Sequence, residues 1–148
     1  MSGVVKLFCV ASRIIYSEWN LSGKRKIALE TLITTLVVII LLEHIGFCYL
    51  EMFLWTKDIG RKVFGNSRED AERTRILAAN QGLYNGFLAA GLIWALFYPS
   101  EEISRHIMLF FLSCILVAGI YGGITAKRTI LYIQAMPALI AIVLLLLT

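Results

Sequence analysis

The stretch that decides the fold lies at the end of the chain, where residues 129–148 read TILYIQAMPALIAIVLLLLT. This stretch carries no charged side chain, and about 20 apolar residues in a helix match the roughly 30 Å hydrocarbon core of a bilayer. Because backbone amides find no water inside lipid, a span of this composition must be helical. Lys127 and Arg128 stand directly before it, where basic residues commonly flank a membrane span.

Three earlier stretches have the same character, and charged or turn-forming residues separate all of them. We place the spans at 30–55, 75–97, 106–126 and 129–148. The alternation of apolar and polar residues that marks a barrel strand is absent. The sequence therefore predicts an all-α fold, an integral membrane bundle of four transmembrane helices, in a multi-pass protein of the cell membrane. The connections are loop one (57–75), loop two (98–105) and loop three (127–128).

Composition supports a membrane protein and excludes several other classes. Of 148 residues, 59% are apolar and 16% are charged, and the mean hydropathy is +0.78. These values exclude a disordered chain and a disulfide scaffold. The net charge of +4 comes from short basic runs between apolar stretches, so it indicates membrane flanks. We expect the lipid bilayer, and no nucleic acid, as a partner.

The first 26 residues differ from the rest of the chain. The segment from Val4 to Tyr16 is rich in apolar residues at helical spacing, but it is short and is interrupted by Lys6 and Arg13. This pattern favours an amphipathic helix at the membrane interface, with a cleaved signal peptide as the alternative. We therefore divide the chain into an N-terminal amphipathic extension, 1–26, and a four-helix transmembrane domain, 27–148.

One helix start can be predicted inside loop one. Ser67 and Asp70 have the spacing of a capping box, with Asp in the place of the usual Glu or Gln, and Gly65 breaks the chain just before them. We expect a helix to begin near Arg68 and to continue into the second span.

Polar side chains inside the spans form the most informative pattern. Counting 1.5 Å per residue from the surface that carries loops one and three, we expect several of them to lie at one level, roughly 6–9 Å deep, with His44 and Asn85 somewhat deeper. Ionisable groups in a span are costly and usually face the bundle interior. The predicted polar layer consists of Glu51, His44, Asn80, Gln81, Tyr84, Asn85, Tyr121 and Gln134.

This layer has two interpretations. Amides and a tyrosine can hold helices together by hydrogen bonds, each worth about 0.6 kcal/mol on average. Placing a carboxyl group inside a membrane span costs free energy that helix packing alone does not require. Glu51 and His44 therefore favour a binding site for a small molecule or a proton. Both interpretations stay open at the level of sequence.

Other kinds of site are poorly supported. His44, Cys48 and Glu51 share one helix face, but no second histidine lies at their depth, so we predict no metal site. No Ser-His-Asp set, phosphate-binding loop or pair of catalytic carboxylates is present. We expect no cofactor and name no catalytic residue, and an enzyme is the less favoured class.

Small residues and one proline bear on helix packing. Gly82, Gly86 and Ala90 recur every four residues, as do Gly119 and Gly123, and such faces allow helices to approach closely in lipid. Pro137 removes one backbone hydrogen bond close to Gln134, where a kink could shape a cavity.

Two segments carry a family resemblance, LEHIGFCYLEMFLW at 42–55 and AANQGLYNGFLAAGL at 78–92, supported by GRKVFG at 60–65, AGIYG at 118–122 and QAMPA at 134–138. They resemble a family of small four-span integral membrane proteins catalogued as a domain of unknown function. The resemblance covers roughly residues 30–148 and implies the four-span fold. It implies no activity, substrate or cofactor, and the first 26 residues look like an addition to it.

The sequence thus predicts a small multi-pass membrane protein with an intramembrane polar site that binds or transports a small molecule or a proton. Glu51 is the expected centre of this site. The alternative is a structural or accessory membrane protein whose polar layer only fixes helix packing. Because four short helices enclose little space, we also expect a homodimer.

Overall fold

The chain is helical almost throughout in the computed structural model, which describes the backbone of residues 3–148 and the side chains of residues 22–148. The helices are α1 (Gly3–Phe53), α2 (Asp58–Phe64), α3 (Arg68–Leu96), α4 (Glu101–Thr125), α5 (Arg128–Ile130) and α6 (Met136–Leu146), with a π turn (Leu131–Ala135) joining the last two. No strand occurs within residues 3–148, and the all-α class is confirmed.

Three segments are long and apolar enough to cross a membrane: Ser22–Phe53, Glu101–Thr125 and Arg128–Leu146. The predicted second span corresponds to α3, a helix of 29 residues. It is not among the three because its first two turns are charged and its middle carries amides. Four spans therefore stay a prediction, although α3 packs extensively along α1.

The N-terminal boundary also stays a prediction. The backbone of α1 continues without a break through residue 26, where we expected the interfacial extension to end. The side chains of residues 1–21 lie outside the described residues, so nothing tests the interfacial face or the alternative of a signal peptide.

The predicted helix start at Arg68 is confirmed, with Ser67 as the N-cap. The backbone N–H of Asp70 donates to Ser67 Oγ at 3.0 Å, and this hydroxyl in turn donates to a carboxylate oxygen of Asp70 at 2.8 Å. Just before it, Gly65 ends α2 with φ +76°, a left-handed conformation that glycine adopts without strain. The left-handed turn at Gly65 and the cap at Ser67 together set the direction in which the chain enters α3.

The apolar core occupies the half of the bundle near loop two. Its fully buried side chains come from α1, α3, α4 and α6, and the largest are Val37, Ile40, Leu92, Leu112 and Ile115. Arg105 closes this end, because its guanidinium donates to the Leu145 carbonyl and to Thr148 Oγ1. The other half of the bundle, near loops one and three, contains the polar residues.

Glycines allow the helices to approach closely in the polar half, as the small-residue patterns predict. A Cβ placed on Gly119 would lie 2.7 Å from the backbone nitrogen of Ala135, and one on Gly123 would lie 2.8 Å from Leu131 Cβ. On the other side of the bundle, a Cβ on Gly82 would lie 3.0 Å from Glu51 Cβ. Helix α4 thus packs directly on the π turn, and α3 packs directly on α1.

We predict that Gly119→Ala destabilises the bundle by about 1–3 kcal/mol, because its methyl group meets backbone rather than a movable side chain. The measurement is thermal unfolding of the purified protein in detergent. The matched control is Gly46→Ala in α1, where a Cβ meets nothing within 4 Å. The control should unfold at or slightly above the wild-type temperature, because alanine favours a helix by about 1 kcal/mol over glycine. Equal unfolding temperatures for the two variants would contradict the packing described here.

Candidate functional site

A cavity of about 800 Å³ lies between the helices in the polar half of the bundle. Its volume is within the usual range of roughly 300–1,000 Å³ for small-molecule sites. Residues of α1, α3, α4 and the π turn form its walls, and residues of loops one and three form its outer part. The polar side chains that line it are Glu51, Gln81, Tyr84, Asn85, Gln134, Asn66, Lys127 and Thr129.

Glu51 is the acidic group of the cavity, and a neighbouring helix fixes its position. The Asn85 Nδ2 group donates to Glu51 Oε2 at 2.7 Å, which links α3 to α1. Asn85 is buried, and Gly82, one turn earlier in α3, lets the two backbones come close enough for this bond. Among residues 22–148, the second oxygen of the carboxylate, Oε1, makes no hydrogen bond.

His44 lies deeper and has two partners. Its Nδ1–H donates to the Ile40 carbonyl at 2.8 Å, the preceding turn of the same helix. This bond leaves Nε2 as the acceptor for the Gln134 amide group, whose nitrogen lies 3.4 Å away. The histidine is 0% exposed and stands between the apolar core and the cavity, so it joins α1 to the π turn.

The π turn positions Gln134 at the wall of the cavity. The Met136 N–H bonds to the Leu131 carbonyl five residues back, which is the π pattern. In a regular α-helix the Ile133 carbonyl would accept from residue 137, but this residue is a proline without an N–H. The predicted irregularity beside Gln134 is therefore present, and both Ile133 and Gln134 line the cavity.

Three residues of the predicted polar layer do not line the cavity: His44, which lies below it, and two that are placed elsewhere. Asn80 is exposed on α3 and is not among the lining residues, because five positions separate it from Asn85 and turn it by about 140° around the helix. Tyr121 is 70% exposed and lies in a shallow apolar groove on the outside of α4. Depth along the helices was estimated from the sequence, whereas the direction around each helix depends on packing.

Several lining residues were not among those singled out from the sequence. Helical spacing places Trp55 on the stripe of Glu51, and Phe47, four residues before Glu51, could have been placed there in the same way. The Trp55 ring packs on Phe64 of α2 with centroids 4.7 Å apart, and its Nε1–H donates to Thr74 Oγ1 at 3.1 Å. Asn66 comes from a loop, where no periodicity could have identified it.

The described part of the chain offers little to a metal ion. Residues 22–148 contain no group of three or more His, Cys, Asp or Glu side chains that could hold one. What the cavity offers is a carboxylate, amides, a hydroxyl, an ammonium and aromatic walls. Such groups bind polar or amphipathic molecules by charge and hydrogen bonds.

We predict energetic coupling between His44 and Gln134. A double-mutant cycle of His44→Leu and Gln134→Leu should give a coupling energy of about 0.6 kcal/mol, with an upper value of about 1.7, as found for polar pairs in membrane helices. Unfolding in detergent measures it. In the matched cycle of His44→Leu and Asn80→Leu the effects should add to within about 0.5 kcal/mol, because Asn80 is exposed on α3 and makes no hydrogen bond with His44. Additivity in the first cycle would show that the pair does not hold α1 to the π turn.

Comparison with known proteins identifies the family. Residues 23–146 match the family model described as Protein of unknown function (DUF1304). The chain is 31% identical over 116 residues to "Uncharacterized protein YpaA" of Lactococcus lactis subsp. lactis (strain IL1403), an alignment that covers 76% of this chain and 96% of that protein. No solved structure matches the chain. The chain belongs to the DUF1304 family, as the segments at 42–55 and 78–92 led us to expect.

Proposed function

We propose that this protein is a multi-pass membrane protein that binds a small polar molecule in the cavity between its helices, with Glu51 as the charged contact. The observation that carries the proposal is the Glu51 carboxylate, which lines the cavity and is fixed by Asn85 from the facing helix. One of its oxygens is used in this way, and the other is available to a hydrogen-bond donor or a cation. A carboxylate inside a bundle is costly, so a purely structural role would be better served by an amide.

The shape of the cavity bears on transport. It reaches loops one and three, whereas the half of the bundle near loop two is filled by side chains with no exposure, among them Ile40, Leu92 and Leu112. A molecule in the cavity therefore has access from one side. Transfer of a solute or a proton across the bilayer would require the apolar half to open, so binding is the function that this geometry supports best.

The structural alternative applies to part of the polar layer. His44 is fully buried, and both of its ring nitrogens have partners within the bundle. The hydrogen bond between His44 and Gln134 links α1 to the π turn. The layer thus divides into a deep structural pair and a shallower binding site around Glu51.

We predict that Glu51→Gln weakens the binding of simple amines. The probes are ethanolamine and butylamine, titrated calorimetrically against the purified wild type and the variant in detergent. Loss of the carboxylate charge should raise the dissociation constant about tenfold or more, which corresponds to about 1.4 kcal/mol. The variant should keep its fold because glutamine can still accept from Asn85.

The matched control is Glu43→Gln, two turns earlier in α1. Glu43 is a half-buried carboxyl of the same helix, and it does not line the cavity. This variant should bind both amines as the wild type does. Equal losses in the two variants, or no binding to the wild type, would refute the proposed function.

A further inference from the structure

We infer that the cavity takes a zwitterion, a molecule whose ammonium group binds Glu51 and whose carboxylate or phosphate group binds on the side of Lys127 and Asn66. This inference rests on the proposed function and names the class of its ligand. It depends on where the two opposite charges of the cavity stand and on one unpaired polar group in its wall.

The contact of His44 with Gln134 fixes the relative register of α1 and the chain that leads into α6. Glu51 follows His44 by seven residues toward loop one, and Lys127 precedes Gln134 by seven residues toward loop three. Glu51 thus lies roughly 10 Å along α1 from His44. Lys127 stands at the extended N-cap of α5, outside regular α-helix, and lines the same cavity from a different wall.

These two opposite charges are not paired with each other. The ion pairs among residues 22–148 are Lys26 with Glu30, Arg61 with Asp58, and Arg73 with Asp70. Glu51 bonds to Asn85 instead, and Lys127 makes no side-chain hydrogen bond within the described residues. A positive and a negative side chain that line one cavity without forming an ion pair attract a ligand with the complementary arrangement of charges.

Asn66 adds an independent observation. Its Nδ2 group is buried and has no hydrogen-bond partner, and the residue lines the same cavity. An unpaired buried donor costs about 1–3 kcal/mol, and a rotation of the Asn66 side chain toward an acceptor on a ligand would relieve this cost. Carboxylate and phosphate oxygens are such acceptors, and they would meet the Lys127 ammonium as well.

The remaining walls suit a ligand with an apolar connection between its two charges. Phe47 in α1 and Trp55 just after α1 flank Glu51 in sequence, and Ile130 and Ile133 line the cavity near Gln134. Amino acids and phosphoethanolamine share this chemistry, and so does the headgroup of a zwitterionic phospholipid. The chemistry of recognition is the same, and the experiment separates the free molecule from the lipid.

The test compares zwitterions with their singly charged analogues by calorimetric titration of the full chain in detergent. The probes are phosphoethanolamine, with ethanolamine and inorganic phosphate as analogues, and 4-aminobutyrate, with butylamine and butyrate as analogues. At least one zwitterion should bind about tenfold or more tightly than either of its analogues. If neither does so, the inference is overturned, whereas binding of the amines that depends on Glu51 would leave the proposed function standing.

Variants assign the two ends of the ligand. Lys127→Gln should weaken the favoured zwitterion about tenfold and leave its amine analogue within about twofold, because only the anionic end loses a partner. Asn66→Ala should act in the same direction. The matched control is Arg128→Gln, which removes the neighbouring positive charge from a residue that does not line the cavity and should change neither ligand. Equal effects of the Lys127 and Arg128 variants would overturn the assignment, since they would indicate a general effect of surface charge.

Nanodiscs distinguish the two sources of the ligand. The free zwitterion is titrated against protein in phosphatidylethanolamine discs and in discs of phosphatidylglycerol. Competition by the first lipid alone supports a headgroup as the occupant, and equal affinity in both supports a free molecule.

Discussion

The bundle depends on the close approach of helix backbones where glycine leaves out a side chain. Lipid tails are as apolar as the core, so helices in a bilayer gain little from burying apolar surface and rely on close packing and hydrogen bonds. Gly119 brings α4 onto the backbone of Ala135, and Gly82 brings α3 onto Glu51. The second approach is also a condition of the site, since Asn85 reaches the carboxylate only because the two helices lie this near to each other.

The two halves of the bundle perform different tasks. The half near loop two is a tightly packed apolar core, and Arg105 holds its end together through carbonyl and hydroxyl groups at the end of the chain. In the half near loops one and three, the helix backbones approach each other closely at glycines, and the cavity lies between the helices. His44 stands at the boundary, and its two hydrogen bonds connect the rigid half to the wall of the cavity. Such a division is common where a scaffold positions a site.

The sequence was sufficient for the long helices from residue 30 onward, whereas it missed α2 and the π turn and was only partly sufficient for the site. Apolar length and the need to satisfy backbone amides identify spans, and Ser67 with Asp70 identifies a helix start to the residue. Counting along the helices predicted Glu51, Gln81 and Gln134 at one level with Asn85 and His44 deeper. All but His44 line the cavity, but Asn85 bonds to Glu51 and Gln134 bonds to the deeper His44. The direction in which a side chain points around the helix axis depends on which neighbouring helices pack against it. For this reason counting did not show that Asn80 and Tyr121 lie outside the cavity. Asn66 could not be found in this way because a loop has no period.

The π turn has a consequence for how the molecule can change shape. Beside a proline, the Ile133 carbonyl has nothing to gain from regular helical geometry, so the backbone itself does little to fix the angle between the wall of the cavity and α6. Side-chain contacts fix it instead, through Gln134 with His44 and through Leu131 against Gly123. A ligand that bonds to the Gln134 amide would therefore remove one of the contacts that hold this segment against α1.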